Sequence, residues 1–391
     1  MSKKNIFYKS IIIILILLII KNKNELLSLN KLEKKVFLYI KQNKNYNLSK
    51  YEYENEIPQI KEYVKLLKDN YFKNNSFNYD ISKPKISFIA SVYNKEKYLV
   101  PFILSIQNQD LKEYKLIFVD DCSNDKSIRI INKFKYKDKR IKLIKNKKNK
   151  GSLYARYIGA IYSKGEYIIF VDSDDIILKK GILKSYNHLK KNSLDMLQFH
   201  SIFDDINNTF ISRRYYIYSN IIYQPILSYI FYYKKNEGIE LNTALWDKLI
   251  KREAVIKSIN YIGLKYINEK IIIENDVILL FSLFRNCNSF QYIDELGYYY
   301  FIKNNDSITN TRYEPIKANQ IIFSIFVNIK FIYEKTGNSY FDKSFCIYKL
   351  EQGYYRYETC FKYLNKNFGI IKYILNELLK SNYISFKKKL L

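Results

Sequence analysis

Between Ile86 and Val171 four short apolar runs alternate with stretches of helical period, and that alternation leaves few folds open. Ile86 to Val92, Leu116 to Val119, Ile141 to Ile144 and Tyr167 to Val171 have the length and β-branched bias of strands. Between them lie Leu99, Phe102, Ile103 and Ile106, then Ile128, Ile131 and Phe134, then Leu153, Tyr157, Ile158 and Ile161. Each set marks one face of a helix. Strands that alternate with helices are joined by right-handed crossovers, so the expectation is an α/β, Rossmann-like fold with a mostly parallel sheet flanked by helices.

Such crossovers collect at one sheet edge the polar residues that follow the strands, and that edge is where open α/β sheets bind ligands. Tyr93 and Asn94 follow the first run, Asp120 and Asp121 the second, and Asp172, Asp174 and Asp175 the last, in the stretch KGEYIIFVDSDDI. Unpaired carboxylates repel one another, so a metal ion or cationic side chains should sit among them. Asp-Ser-Asp-Asp is also ordinary turn and helix-cap chemistry, and from this stretch alone the two readings stand level. No glycine-rich loop follows the first strand, which argues against a dinucleotide dehydrogenase or a P-loop enzyme.

Composition removes other classes. The formal net charge of +28 on 391 residues would ordinarily point to nucleic acid, membrane headgroups or phosphorylated substrates. Here Lys and Asn are spread along the chain, with Ile, Tyr and Phe also in excess and only 10 Gly and 5 Pro, the pattern of AT-rich coding. Nucleic acid is therefore not an expected partner. Cys122, Cys287, Cys346 and Cys360 have no metal-ligand spacing, and His188 and His200 are the only histidines. A histidine-rich metal site and a Ser-His-Asp triad are both disfavoured. His200, after the apolar run Met196 to Phe199, reads as a hydrogen-bonded structural residue at a strand end, with metal ligation as the lesser alternative.

Near the amino terminus Ile11 to Ile20 is an unbroken apolar run preceded by Lys3, Lys4 and Lys9, with no Ala before Ala90 and no Gly before Gly151 to make a suitable cleavage site. Residues 1–24 are read as an uncleaved signal anchor with a cytosolic amino terminus, making the protein a single-pass membrane protein. The compartment would be the Golgi or endoplasmic reticulum in a eukaryote and the inner membrane in a bacterium. Ten helical residues rise only about 15 Å against about 30 Å of hydrocarbon, so the run is short for a span. Residues 25–84 read as helical stem and linker, 85–310 as the α/β domain, and 311–391 as a helical, tyrosine-rich extension.

The strings ISFIASVYNKEKYL, SIQNQ, KLIFVDDCSND, NKGSLYARYIGA and GEYIIFVDSDD, in this order and spacing, resemble the amino-terminal half of a family 2 glycosyltransferase of the GT-A fold. Further on, LWDKLIKREAV, ENDVILLFSLF and YYYFIKNNDSIT resemble later segments of that family, so the likeness runs from about Lys85 to Thr309. Residue by residue, it implies that Asp121 reads the nucleotide base, with Tyr93 and Asn94 lining that pocket. Arg156 would approach the base or phosphates, Asp172 would face the ribose, and Asp174 of the DXD motif would ligate Mn²⁺ or Mg²⁺. Asp276 would be the general base that takes the acceptor proton.

The expectation is a membrane-anchored, metal-dependent, inverting transferase. It would move one sugar from a nucleoside-diphosphate sugar, a UDP-sugar first among them, to a glycan or lipid-linked acceptor. A catalytically silent relative that binds sugar nucleotide or escorts another transferase is the alternative. Cys122 stands where the family usually has Gly, Asn275 replaces an acid before Asp276, and Phe301 and Ile302 stand where a basic residue is commoner, which shifts diphosphate contact to Lys303. The Gln-Xaa-Xaa-Arg-Trp motif of processive synthases is absent, which favours a single addition.

Overall fold

The computed structural model describes residues 56–69, 81–205, 208–211, 221–224, 244–271, 275–301 and scattered positions between 324 and 335. The chain divides into two compact units, Asn45–Asn310 and a second made of Met1–Lys44 with Thr311–Leu391. All elements below belong to the first. The apolar run Ile11 to Ile20, the helical pattern before residue 56 and Lys303 lie outside the described residues. Among the described residues no helix is long and apolar enough to cross a membrane.

The expected alternation is present. Helix α1 (Ile57–Lys68) precedes β1 (Ile86–Val92), α2 (Leu99–Gln107), β2 (Tyr114–Asp120), α3 (Ser127–Lys137), β3 (Ile141–Lys145), α4 (Ser152–Tyr162) and β4 (Tyr167–Asp172). Strand β1 pairs in parallel with both β2 and β4, and β2 with β3, which makes a parallel wing in the order β3-β2-β1-β4. Period-two alternation on β2 supplies both faces: Leu116 and Phe118 enter the main core, whereas Ile117 and Val119 meet Ala155 and Ile158 of α4. Helix α4 lies directly on β1, since a Cβ on Gly159 would fall 2.3 Å from Ile89 Cγ2. Val64 and Leu67 of α1 are buried in the same core as Phe88, Phe102 and Phe118. Complete burial of one such large apolar side chain is worth about 1.5–3 kcal/mol.

Beyond β4 most pairings are antiparallel, which corrects the expectation of a mostly parallel sheet. The remaining elements are β5 (Ile176–Ile177), α5 (Gly181–Asn192), β6 (Met196–Asp205), β7 (Asn208–Ile211), β8 (Ile222–Tyr223), β9 (Lys248–Lys251), α6 (Arg252–Ile262), α7 (Leu264–Ile267), α8 (Asn275–Asn286) and β10 (Ser289–Phe301). Short β9 inserts antiparallel between β4 and β6, so that Ile250 pairs with Ile168 on one side and Met196 on the other. Strand β10 runs parallel to β6 but antiparallel to β5 and β8, and β7 is antiparallel to β6. The result is a mixed ten-stranded sheet. The four alternating runs of the sequence describe only its parallel wing.

Candidate active site

Register brings the three acidic or amide-bearing strand ends side by side: Val92 is level with Asp120, and Ser91 with Asp172. The loops after β1 and β2 are then laced together. Asn94 Oδ1 accepts from the Asn124 N–H at 2.9 Å, and the Asn94 N–H donates to Ser123 Oγ at 3.0 Å. Asn94 adopts left-handed backbone, φ 52°, which asparagine tolerates better than most residues. Cys122 does the same at φ 75°, so the glycine-like turn expected at this position is kept by a residue with a Cβ. Tyr93 stands beside them, 49% exposed.

Asp121, 4% exposed, is held by the loop that leads into α4. Its Oδ1 accepts from Asn146 Nδ2 at 2.9 Å and the Lys150 N–H at 2.9 Å, and its Oδ2 accepts from the Gly151 N–H at 2.7 Å. Gly151 can aim its N–H this way because it sits at φ 88°. A carboxylate offers about four acceptor positions, so one remains for a ligand N–H. That suits the base-reading role implied for Asp121. Lys145 at the end of β3 and Lys147 and Lys148 of the loop are exposed, and Lys150 turns its ammonium to Asn268 Oδ1 at 3.1 Å.

The carboxylates of DSDD take different directions. Asp175 points inward, accepting from the Tyr298 hydroxyl at 2.8 Å and the Phe301 N–H at 3.1 Å, and burial raises its carboxyl well above the usual range. Asp174 pairs with Lys95, whose Nζ is 2.6 Å from Oδ2. Asp172 keeps a side chain 32% exposed and is 3.3 Å from Arg156 Nη2. Burial pushes the Asp172 carboxyl up to about 6; Arg156 pulls it down, while Asp276 and Asp174 push it up. The turn reading is also realised, since the Asp175 N–H donates to the Asp172 carbonyl at 3.2 Å.

Arg156, on α4, is engaged by protein side chains. Its Nη1 donates to Asn275 Oδ1 and to Asp276 Oδ1, in the first turn of α8, while Nη2 reaches Asp172. Burial alone would lower the guanidinium pKa, but Asp276 and Asp172 outweigh it and hold the group above its ordinary value. Asp276 keeps a side chain 22% exposed, and its Oδ2 makes no hydrogen bond among the described residues. A carboxylate with one oxygen anchored and one open, near the amino end of a helix that favours its negative charge, has the form of a proton acceptor.

Donor chemistry decides whether a metal suits the site. Asp172 and Asp174 offer carboxylate oxygens at the strand end, and hard cations such as Mg²⁺ commonly take one or two carboxylates with phosphate and water completing the shell. Among the described residues no group of three or more His, Cys, Asp or Glu could hold an ion by itself. The residues therefore fit a metal carried jointly with a diphosphate, with the Lys95 ammonium as the cation already in contact with Asp174.

His200 lies within β6, not at a strand end. It is buried against the Tyr292 ring, with Nε2 2.9 Å from Asp294 Oδ1, so its partners come from β10. Tyr298 and Tyr300 both stack on Trp246, with interplanar angles of 18° and 8°. Tyr298 also accepts from the Asp172 N–H at 3.1 Å, which makes β10 a buttress for DSDD.

Tyr298 reads in the sequence equally as a residue that stacks on an acceptor sugar or one that fills the core, whereas Lys95 and Asn146 carry no signal there, because each acts through a partner distant along the chain. Lys248 is another such residue. Fully buried, it donates to Asp247 Oδ1 at 2.6 Å and the Ala244 carbonyl at 2.7 Å; burial lowers its pKa, and Asp247 and then Asp276 oppose that fall.

Comparisons with known proteins find chains similar to this one. The model of the Glycosyl transferase family 2 matches residues 87–255. An uncharacterized glycosyltransferase of Methanocaldococcus jannaschii is 30% identical over 231 residues, which cover 58% of this chain and 74% of that protein. An uncharacterized glycosyltransferase of Haemophilus influenzae is 44% identical over 126 residues, 32% of this chain, and the match spans 50% of that relative's length. Among solved structures, residues 1–349 of S. aureus TarS in complex with UDP-GlcNAc superpose with a TM-score of 0.52 at 19% identity, covering 70% of this chain and 72% of that 1–349 chain.

Proposed function

The chain belongs to the family 2 glycosyltransferases, and from that premise we propose that it transfers one sugar, with inversion, from a nucleoside-diphosphate sugar to a hydroxyl of a glycan or lipid-linked acceptor. The observation that carries this reading is the Asp172–Arg156–Asp276 chain of contacts, which links the end of β4 to a carboxylate with one open oxygen. Asp121 takes the base through its remaining acceptor position, between Tyr93 and Asn94. Asp172 faces the ribose. Asp276 accepts the acceptor's proton as the new glycosidic bond forms, and a single displacement needs no covalent nucleophile. UDP-sugars are the favoured donors, and the solution of TarS, a protein of similar fold, with UDP-GlcNAc supports that choice.

Mg²⁺ or Mn²⁺ would be held by Asp174, beside Asp172, and would supply Lewis-acid stabilisation of the charge that builds on the departing diphosphate. Lys95 then either shares Asp174 with the ion or turns to a phosphate oxygen. Membrane attachment through Ile11 to Ile20 remains part of the proposal, supported by that apolar run and its flanking lysines.

A panel of nucleotide sugars with Mn²⁺, scored by release of the nucleoside diphosphate, tests the reading. Donor-selective release, quickened by acceptor, is expected. Failure of every sugar nucleotide either to bind or to turn over would contradict it.

A further inference from the structure

Family likeness implies that the arginine of ARYIGA approaches the base or phosphates. In this structure both terminal nitrogens of Arg156 are already committed to protein: Nη1 to Asn275 and Asp276, Nη2 to Asp172. The residue is 5% exposed. For its fork to grip a phosphate, at least one of these charge-assisted bonds to a buried guanidinium would have to break.

We propose that Arg156 is the positioning residue of the base: it fixes the Asp276 carboxylate against the donor-side Asp172 and leaves Asp276 Oδ2 to take the acceptor proton. This rests on the glycosyl-transfer reading above. Three elements meet at the guanidinium. Helix α4 carries it and cannot slide, because Gly159, one turn further on, packs against Ile89 of β1 with no room for a Cβ. Strand β4 brings Asp172, and α8 brings Asn275 and Asp276. The planar guanidinium presents its donors in fixed directions, so it sets orientation as well as charge, which a lysine ammonium cannot do. Asn275 has a purpose in this arrangement. Where a second acid would repel Asp276, its amide oxygen accepts from the same Nη1 without adding charge.

A purely structural arginine and a positioning one differ in kinetics. Arg156→Lys keeps the charge but loses the fork, so kcat should fall roughly tenfold to a hundredfold, as expected for a displaced catalytic group. Donor KM and the Kd of UDP should stay within about threefold. The decisive readout is a double-mutant cycle: in an Asp276→Asn background, Arg156→Lys should cost no more than about threefold further, because a residue acting through another loses its effect when that other is gone. Penalties that multiply, or a loss confined to donor affinity with kcat intact, would overturn the assignment and leave the transfer reading standing. A wild-type chain that binds UDP but transfers no sugar would overturn both. Should Arg156→Lys fail to fold, Asn275→Ala takes its place. It should lower kcat about threefold to tenfold at unchanged donor KM by loosening the same contact, and an unchanged kcat would overturn the proposal.

Discussion

Arg156 and Asp276 lie 120 residues apart in the chain and meet guanidinium to carboxylate, Nη1 donating to Oδ1. The first sits on the helix that leads into β4 of the parallel wing, the second at the start of the helix that precedes β10 of the mixed half. Their contact therefore closes two regions of the sheet around one site, and most expected consequences of substitution follow from which side of it a residue serves.

On the donor side, Asp174→Ala should abolish transfer and remove any thermal shift that Mn²⁺ adds to that of UDP alone. Lys95, 2.6 Å away, cannot replace a lost carboxylate as a metal ligand. Undiminished turnover in excess EDTA would mean that Lys95 and its neighbours do the metal's work.

Tyr298 supports DSDD from beneath. Its hydroxyl donates to buried Asp175 and accepts from the part-buried Asp172 N–H, so Tyr298→Phe removes a partner from both at once. A loss of about 1–3 kcal/mol is expected in urea unfolding, the cost of leaving a buried hydrogen-bonding group unpaired. A variant as stable as the parent would show that water takes the hydroxyl's place.

Cys122 holds a left-handed turn beside Asp121. Cys122→Gly should remain within about 1 kcal/mol of the parent, since relief of strain offsets the added freedom of the unfolded chain. Cys122→Val should lose about 1–2 kcal/mol, because a branched Cβ crowds the carbonyl in that conformation. Equal stability of the Val variant would mean that the turn can rearrange.

If residues 1–24 anchor the chain, the full-length protein should stay in the membrane pellet after a carbonate wash, whereas a version starting near Asn70 would lack the apolar run. Full recovery of the intact protein in the supernatant would contradict the anchor.

The parallel wing was legible because its signals are local. Ile86 to Val92 is a strand with the bounds expected, and the Tyr93, Asp121 and Asp172 loops meet because crossovers allow little else. Strand β9 was not, since Lys-Leu-Ile-Lys is too short for any period and takes its place from two neighbours distant in sequence. The run Met196 to Phe199 looked complete at His200 because that residue is polar, yet β10 offers Tyr292 and Asp294 and the strand continues. Nothing local distinguishes Asp174 from Asp175 either. Tyr298 and the Phe301 N–H draw the second inward, and Lys95 meets the first. Arg156 shows the same limit: its residue type suggests an anion, and only the fold reveals that the anions are Asp172 and Asp276.

The most direct test of the account is Asp276→Asn. The variant keeps the shape and an oxygen for Arg156 but has no carboxylate to accept a proton, so turnover should fall by about a hundredfold or more. UDP affinity by calorimetry should barely change, because Asp121, Tyr93 and Asn94 are untouched. Normal turnover, or a loss of donor binding as severe as that of Asp174→Ala, would contradict the assignment of the base.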